Sequence, residues 1–251
     1  MPTTVRAVTF DLWDTVFIDD SDEPRRRESG LPPKPQARRE MVFEYTNRKA
    51  PVPRESVEAA YAAADAAFGK VWHELGVTWT VRQRLEVVLA GLSRKLPEQE
   101  LAELIMRHEE MELETPPDLA PGIAAALDNL HGKYRLGVVS DAIFSPGHVL
   151  RRLLERYNLL RHFDAFAFSD EVGRSKPDAA MFEAVARDLG VAPAEIVHVG
   201  DREPNDVAGP HGVGARAVLT TVVKDRGSAT TRADAVCADY AELGEIIDLL
   251  C

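Results

Sequence analysis

The apolar positions change period twice along the chain. Val5 to Phe10 is a short β-branched run that stops at Asp11, the pattern of a buried strand delivering a carboxylate at its carboxyl end. The polar, Pro-rich stretch "DDSDEPRRRESGLPPKPQARRE" that follows has neither a helical nor a strand period, and it is expected to be a loop or flap. From about Arg38 to Glu114 the pattern turns helical: "ESVEAAYAAADAAFGKVWHEL" is Ala-rich and amphipathic, "VRQRLEVVLAGLSRKL" repeats the period, and Pro97 opens "PEQELAELIMRHEEMELE" at a first-turn position. Roughly four helices are expected there.

After the boundary "TPPDLAPG" the texture changes again. Short apolar runs, "RLGVVS", "DAFAFS", "IVHVG" and "ARAVL", alternate with "GIAAALDNL", "GHVLRRLLERYN", "DAAMFEAVARDLG" and "NDVAGPHGVG". Buried strands alternating with helices predict βαβ units and a parallel sheet covered on both faces. Ligands bind such sheets beyond the carboxyl ends of the strands. The runs that end in, or lead straight into, Asp11, Ser140 and Asp201 therefore matter most.

Composition narrows the picture. At 251 residues and 45% hydrophobic, the chain has ample material for a core domain with an insert. A net charge of -11 argues against a nucleic-acid or anionic-membrane surface, because phosphate backbones are met by clustered Lys and Arg. No apolar run approaches the ~20 residues that span a bilayer, and "MPTTVRAVTF" lacks a signal-peptide pattern, so a cytoplasmic location is expected. Cys237 and Cys251 are too few for a disulfide framework or a thiolate metal site.

Taken singly, the polar residues at the strand ends have ordinary explanations. An Asp or Ser after a strand is commonly a turn or helix cap, and a Lys before Pro177 a solvated loop residue. Together, "FDLWDT", a helical insert, "GVVSDA", "GRSKPDAAMF" and "HVGDREPNDVAG" come in an order and spacing that resembles the haloacid dehalogenase-like (HAD) hydrolases, most of which are phosphatases. The resemblance covers the whole chain. It implies an α/β fold, a doubly wound parallel-sheet (Rossmann-like) core of residues 1–16 and 116–251, with an inserted α-helical cap and flap loop over 17–115.

The resemblance also implies roles. Asp11 matches the family nucleophile, which attacks phosphorus to give an aspartyl-phosphate that water hydrolyses. Lys176 supplies a fixed positive charge, and Ser140 a hydroxyl that donates to a phosphoryl oxygen. Asp201 and Asp206 match the acidic pair that holds Mg2+, with Asp11 and the backbone carbonyl of Trp13 completing the metal set. Three carboxylates near one point imply a cation, since their repulsion would otherwise raise at least one pKa. The partner is then a small phosphorylated substrate, and the oligomeric state is unreadable.

One position departs from the pattern. The family's phosphatases carry a second Asp, the acid that protonates the leaving oxygen, two residues after the nucleophile, and usually Gly next; here those places are Trp13 and Asp14. General acid catalysis contributes ~100-fold to ~10,000-fold, so the vacancy predicts weak action on ordinary alkyl phosphates. Asp14 is read as a turn residue, because Asp tolerates backbone that Gly would otherwise supply. The family's dehalogenases also lack the second Asp, since a halide leaves unprotonated, but they generally need no metal and lack the acidic pair. A catalytically weak or regulatory protein is the third reading. Other residues are given structural roles: His148 and His198 as core or surface histidines, Asn205 at a helix start, Trp72 and Trp79 as packing anchors, and Arg25 to Arg27 as a solvated charge run rather than an anion clamp.

Overall fold

The computed structural model describes residues 4–48 and 50–251. Six parallel strands form one sheet: β1 (Ala7–Phe10), β2 (Arg135–Ser140), β3 (Ala165–Phe168), β4 (Ile196–Gly200), β5 (Arg216–Thr220) and β6 (Ala235–Cys237), in the spatial order β3-β2-β1-β4-β5-β6. The sheet is buried on both faces, and successive side chains divide between two apolar layers. Val8, Phe10 and Val138 join Leu127, Leu150, Leu154 and Ile247 in one layer, while Ala7 and Val139 join Phe182, Val185 and Leu189 in the other. Helices Ile123–Leu130, Gly147–Arg156 and Leu243–Leu249 cover the first layer and Ala179–Leu189 the second. Each fully buried Leu or Val here contributes about 1.5–3 kcal/mol. The three-residue edge strand β6 was not expected from the sequence, being too short to show a period.

Between β1 and β2 lie the helices α1 (Glu23–Glu28), α2 (Lys34–Asn47), α3 (Arg54–Leu75), α4 (Val81–Gly91), α5 (Glu98–Glu109) and α6 (Met111–Glu114). Local chemistry sets their ends. Gly76 takes a left-handed φ of 62° and closes α3, and a reciprocal capping box between Thr80 and Gln83 opens α4. This segment has its own apolar cluster, including Val42, Tyr45, Tyr61, Leu85, Val88 and Leu104.

The stretch expected to be a loop is partly helical, which corrects the sequence reading. Pro24 lies in the first turn of α1, Glu23 is at its start and Arg25 to Arg27 at its end, charges that suit the helix dipole even without an apolar period. Tertiary contacts hold it in place: Arg25 donates to Asp118 (2.7 Å) and to the Pro116 carbonyl (2.5 Å), and Glu23 accepts from the Lys34 amide. The arginines are not uniformly solvated either. Arg26 is buried and donates to the Pro32 carbonyl. No helix among the described residues is long and apolar enough to cross a membrane.

Candidate active site

The topology brings three strand ends together. β1 pairs with β2 on one side and β4 on the other, with Phe10 opposite both Val138 and Val199. Asp11, Ser140 and Asp201 therefore emerge side by side at the carboxyl edge of the sheet, where doubly wound folds bind ligands. Asp11 continues the ladder by donating its amide to the Val199 carbonyl (2.9 Å).

Lys176 is brought in from the loop before helix Ala179–Leu189. Its buried ammonium lies 2.7 Å from Asp11 Oδ1 and 2.6 Å from Asp206 Oδ1. Burial works to lower the Lys176 pKa, but Asp11, Asp206 and Asp141 overcome it and push it up, so this cation is permanent. Asp206 is held well below the usual carboxylate range: burial opposes this, and Lys176 and His198 outweigh it. Asp11 is pushed up by burial, which Lys176 only partly offsets.

Asp206 is the most fully engaged of the acids. Its Oδ1 also meets His198 Nε2 at 3.2 Å, and its Oδ2 accepts the Arg202 amide at 3.0 Å. His198 is fixed in turn by a 2.9 Å bond between its Nδ1 and Thr9 Oγ1. A histidine read as merely structural is thus a direct support of the site. Gly200 makes room for this arrangement, since a Cβ there would come within 2.4 Å of the Asp206 Cγ.

Asp201 is held differently. Its Oδ2 accepts from Arg226 Nε, while its buried Oδ1 has no hydrogen-bond partner among the described residues, Arg202 Nε being 3.9 Å away. Carboxylate oxygens of Asp11, Asp201 and Asp206 lie within 4.8 Å of one another. Burial, with Asp11 and Asp206 adding to it, pushes Asp201 up to about 7. An orphaned acceptor amid three clustered carboxylates suits a hard divalent cation that takes oxygen ligands. Ser140 Oγ is likewise buried without a partner among the described residues, as a hydroxyl reserved for a ligand oxygen would be.

Asp14 has the turn conformation expected of it, with φ 53°. Its carboxylate does more than tolerate the turn. Oδ1 accepts the Asp19 amide at 3.0 Å, and Oδ2 pairs with Arg226 at 2.5 Å, so one guanidinium ties Asp14 to Asp201. Arg226 was not singled out in the sequence, because nothing near it marks it as part of a site.

A cavity of about 210 Å³ opens over Asp11 and Lys176. Trp13 lines it, with its ring packed 6.0 Å from that of Phe17. Trp72 lines it too. It stacks on Phe68 as an anchor should, yet its indole Nε1 is buried without a partner among the described residues. Asp141 and Asn205, neither expected as site residues, meet across the wall at 3.5 Å, and Asp141 also accepts the Lys176 amide at 3.0 Å. Burial pushes Asp141 up to about 6. Its place directly after Ser140 was the one signal available. The insert closes on the core beside Lys176: Thr78 Oγ1 bonds to Ser169 and Ser175, each at 2.8 Å. His148 stays at the surface, 3.9 Å from Glu109.

Known proteins share this fold. The chain is 32% identical over 133 residues to a glyceraldehyde 3-phosphate phosphatase of Methanothermobacter thermautotrophicus, a match covering 51% of this chain and 58% of that protein. Its fold resembles a HAD phosphatase from Thermococcus onnurineus (TM-score 0.64, 24% identity, 97% and 98% of the two chains). It resembles equally a 2-haloacid dehalogenase from Pseudomonas syringae pv. Tomato DC3000 (TM-score 0.66, 21% identity, 99% and 100%). The fold thus serves both chemistries, and only the site residues can separate them. The haloacid dehalogenase-like hydrolase family matches residues 5–214, and the chain belongs to that family of hydrolases.

Proposed function

We propose that the protein is a Mg2+-dependent phosphohydrolase acting on a small phosphorylated metabolite through an aspartyl-phosphate on Asp11. Residues 17–115 serve as a cap over a catalytic core of 1–16 and 116–251, excluding water and reading the substrate. The observation that carries the reading is the shared ammonium of Lys176, bonded to Asp11 and Asp206 beside the unpartnered Asp201 Oδ1.

Lys176 holds Asp11 Oδ1, which leaves Oδ2 to attack phosphorus as the P–O bond to the leaving group breaks. Lys176 and the Ser140 hydroxyl then hold phosphoryl oxygens. Water attacks the phosphorus of the aspartyl-phosphate, releasing inorganic phosphate and restoring the carboxylate. Asp11, Asp201, Asp206 and the Trp13 carbonyl would hold Mg2+, which supplies charge neutralisation to the carboxylates and the phosphoryl group. With Trp13 in the acid's place, the leaving oxygen departs without a proton from that position.

The same substitution favours a metal-free dehalogenase as the second reading, and the clustered acids weigh against it, since halide displacement needs no metal for such a cluster to hold. Incubation with Mg2+ and an aryl phosphate should release phosphate, suppressed by EDTA, while 2-haloacids should release no halide. Halide release that persists in EDTA would overturn the proposal. Release of neither, across a panel of phosphorylated metabolites, would leave the catalytically weak or regulatory reading.

A further inference from the structure

The insert adds acids but no cation to the cavity wall. The core supplies the cations Lys176 and Arg202 together with the acids Asp11 and Asp141. The insert supplies Glu112 from α6, and the segment leaving Asp14 supplies Asp19. Glu112 is 6% exposed, and its Oε2 is buried without a hydrogen-bond partner among the described residues. Its other oxygen lies 3.4 Å from Lys34, an ammonium already shared with Asp22 (2.8 Å) and Asp20 (3.3 Å). Lys34 and the nearby Arg38 are buried behind this wall and form no part of it. Asp19 is pushed up to about 6 by burial, with Asp20, Asp14 and Glu112 adding to it and Lys34 opposing. Beside these acids stand the rings of Trp13 and Phe144.

A buried carboxylate oxygen with no partner costs free energy unless something donates to it. We propose that the insert's wall takes the non-phosphate end of the substrate, and that this end carries a hydrogen-bond donor, an amine or a hydroxyl, which Glu112 accepts beside the Trp13 and Phe144 rings. This rests on the phosphohydrolase reading and names its substrate class. A carboxylate or second phosphate at that end meets Glu112 and Asp19 as like charges, whereas a donor completes the bonding of Oε2.

The test uses four esters with Mg2+: O-phosphoethanolamine for the amine, glycerol 3-phosphate for the hydroxyl, phosphoglycolate for the carboxylate, and 4-nitrophenyl phosphate as a reference for turnover. Phosphate release is followed as kcat/KM, and binding of the first three esters to the Asp11→Asn protein is followed by calorimetry. One or both donor esters should exceed phosphoglycolate by about tenfold or more in kcat/KM and in affinity, the scale of one charge-assisted hydrogen bond. Amine above hydroxyl identifies a cationic group, and the reverse a neutral donor. Glu112→Gln should shrink the donor-to-carboxylate ratio about tenfold. Phosphoglycolate matching or exceeding both donor esters overturns the proposal, even while 4-nitrophenyl phosphate is hydrolysed. If no ester is hydrolysed, the phosphohydrolase reading falls, and the calorimetric order alone decides the donor preference. If Glu112→Gln fails to fold, the order measured on the unmodified chain decides.

Discussion

Lys176 and Asp206 meet at 2.6 Å as a buried pair, and the same ammonium lies 2.7 Å from Asp11. One cation therefore balances two of the three clustered carboxylates. Lys176→Met should abolish turnover and cost about 3–5 kcal/mol of stability, as expected when one partner of a buried ion pair is removed. Added Mg2+ should recover part of that loss, because it replaces the missing positive charge. Denaturant titration with and without Mg2+ checks this, and a variant as stable as the unmodified chain would show that the pair contributes nothing net.

Asp201 and Asp206 should fail in different ways. Asp201 has an orphaned oxygen and few ties, so Asp201→Asn should weaken Mg2+ binding more than Asp206→Asn does. Asp206 accepts from Lys176, His198 and the Arg202 amide, so Asp206→Asn should be the more destabilising change. Calorimetric Mg2+ titration and thermal melting separate the two effects. Stronger Mg2+ loss in Asp206→Asn would overturn this ranking of the two acids.

Trp13 should leave its mark on the leaving-group dependence. Across a series of aryl and alkyl phosphates at one pH, log kcat should fall steeply as leaving-group pKa rises. Trp13→Asp should flatten that line and help alkyl phosphates most. The half-buried indole packs on Phe17, so its removal costs at most about 3–5 kcal/mol, and melting is measured first. A flat line for the unmodified chain would mean another group donates the proton, and Asp141 in the cavity wall would be the next to mutate.

His108 should make the insert acid-sensitive. It is buried, its Nδ1 meets the Leu104 carbonyl at 2.8 Å, and burial lowers its pKa from 6.5 to about 3. Between those values the unfolded chain binds the extra proton, so stability rises with pH and is lost as pH falls from 6.5 towards 3. The slope is at most about 1.4 kcal/mol per pH unit. His108→Asn, whose amide can donate to the same carbonyl, should remove this component between pH 6.5 and 5 in denaturant titrations. Identical pH slopes for both proteins would falsify the prediction.

Much of this protein is legible in its order of residues. The strands β1 to β5 announce themselves because each is an apolar run of a few residues between turn signals, and Asp11, Ser140 and Asp201 are legible because each ends or follows such a run. The helices of the insert show their period wherever they bury a continuous face, as α3 and α5 do. Helix α1 shows none, because what fixes it is Arg25 reaching Asp118 and Pro116, contacts that no local pattern encodes.

What only the tertiary structure decided is which charges meet. Arg226 pairs with Asp14 across 212 positions of sequence and with Asp201 across 25, and no spacing rule picks it from the other arginines. His198 looks like any histidine in a strand until the short helical segment Glu203–Ala208 after β4 places Asp206 against its Nε2. Glu112 is one acid among many in an acidic chain, and it becomes distinctive only when folding buries its Oε2 without a partner. Hydropathy records whether a residue prefers water; it does not record which partner remains once water is excluded, and that partner sets both the pKa and the role.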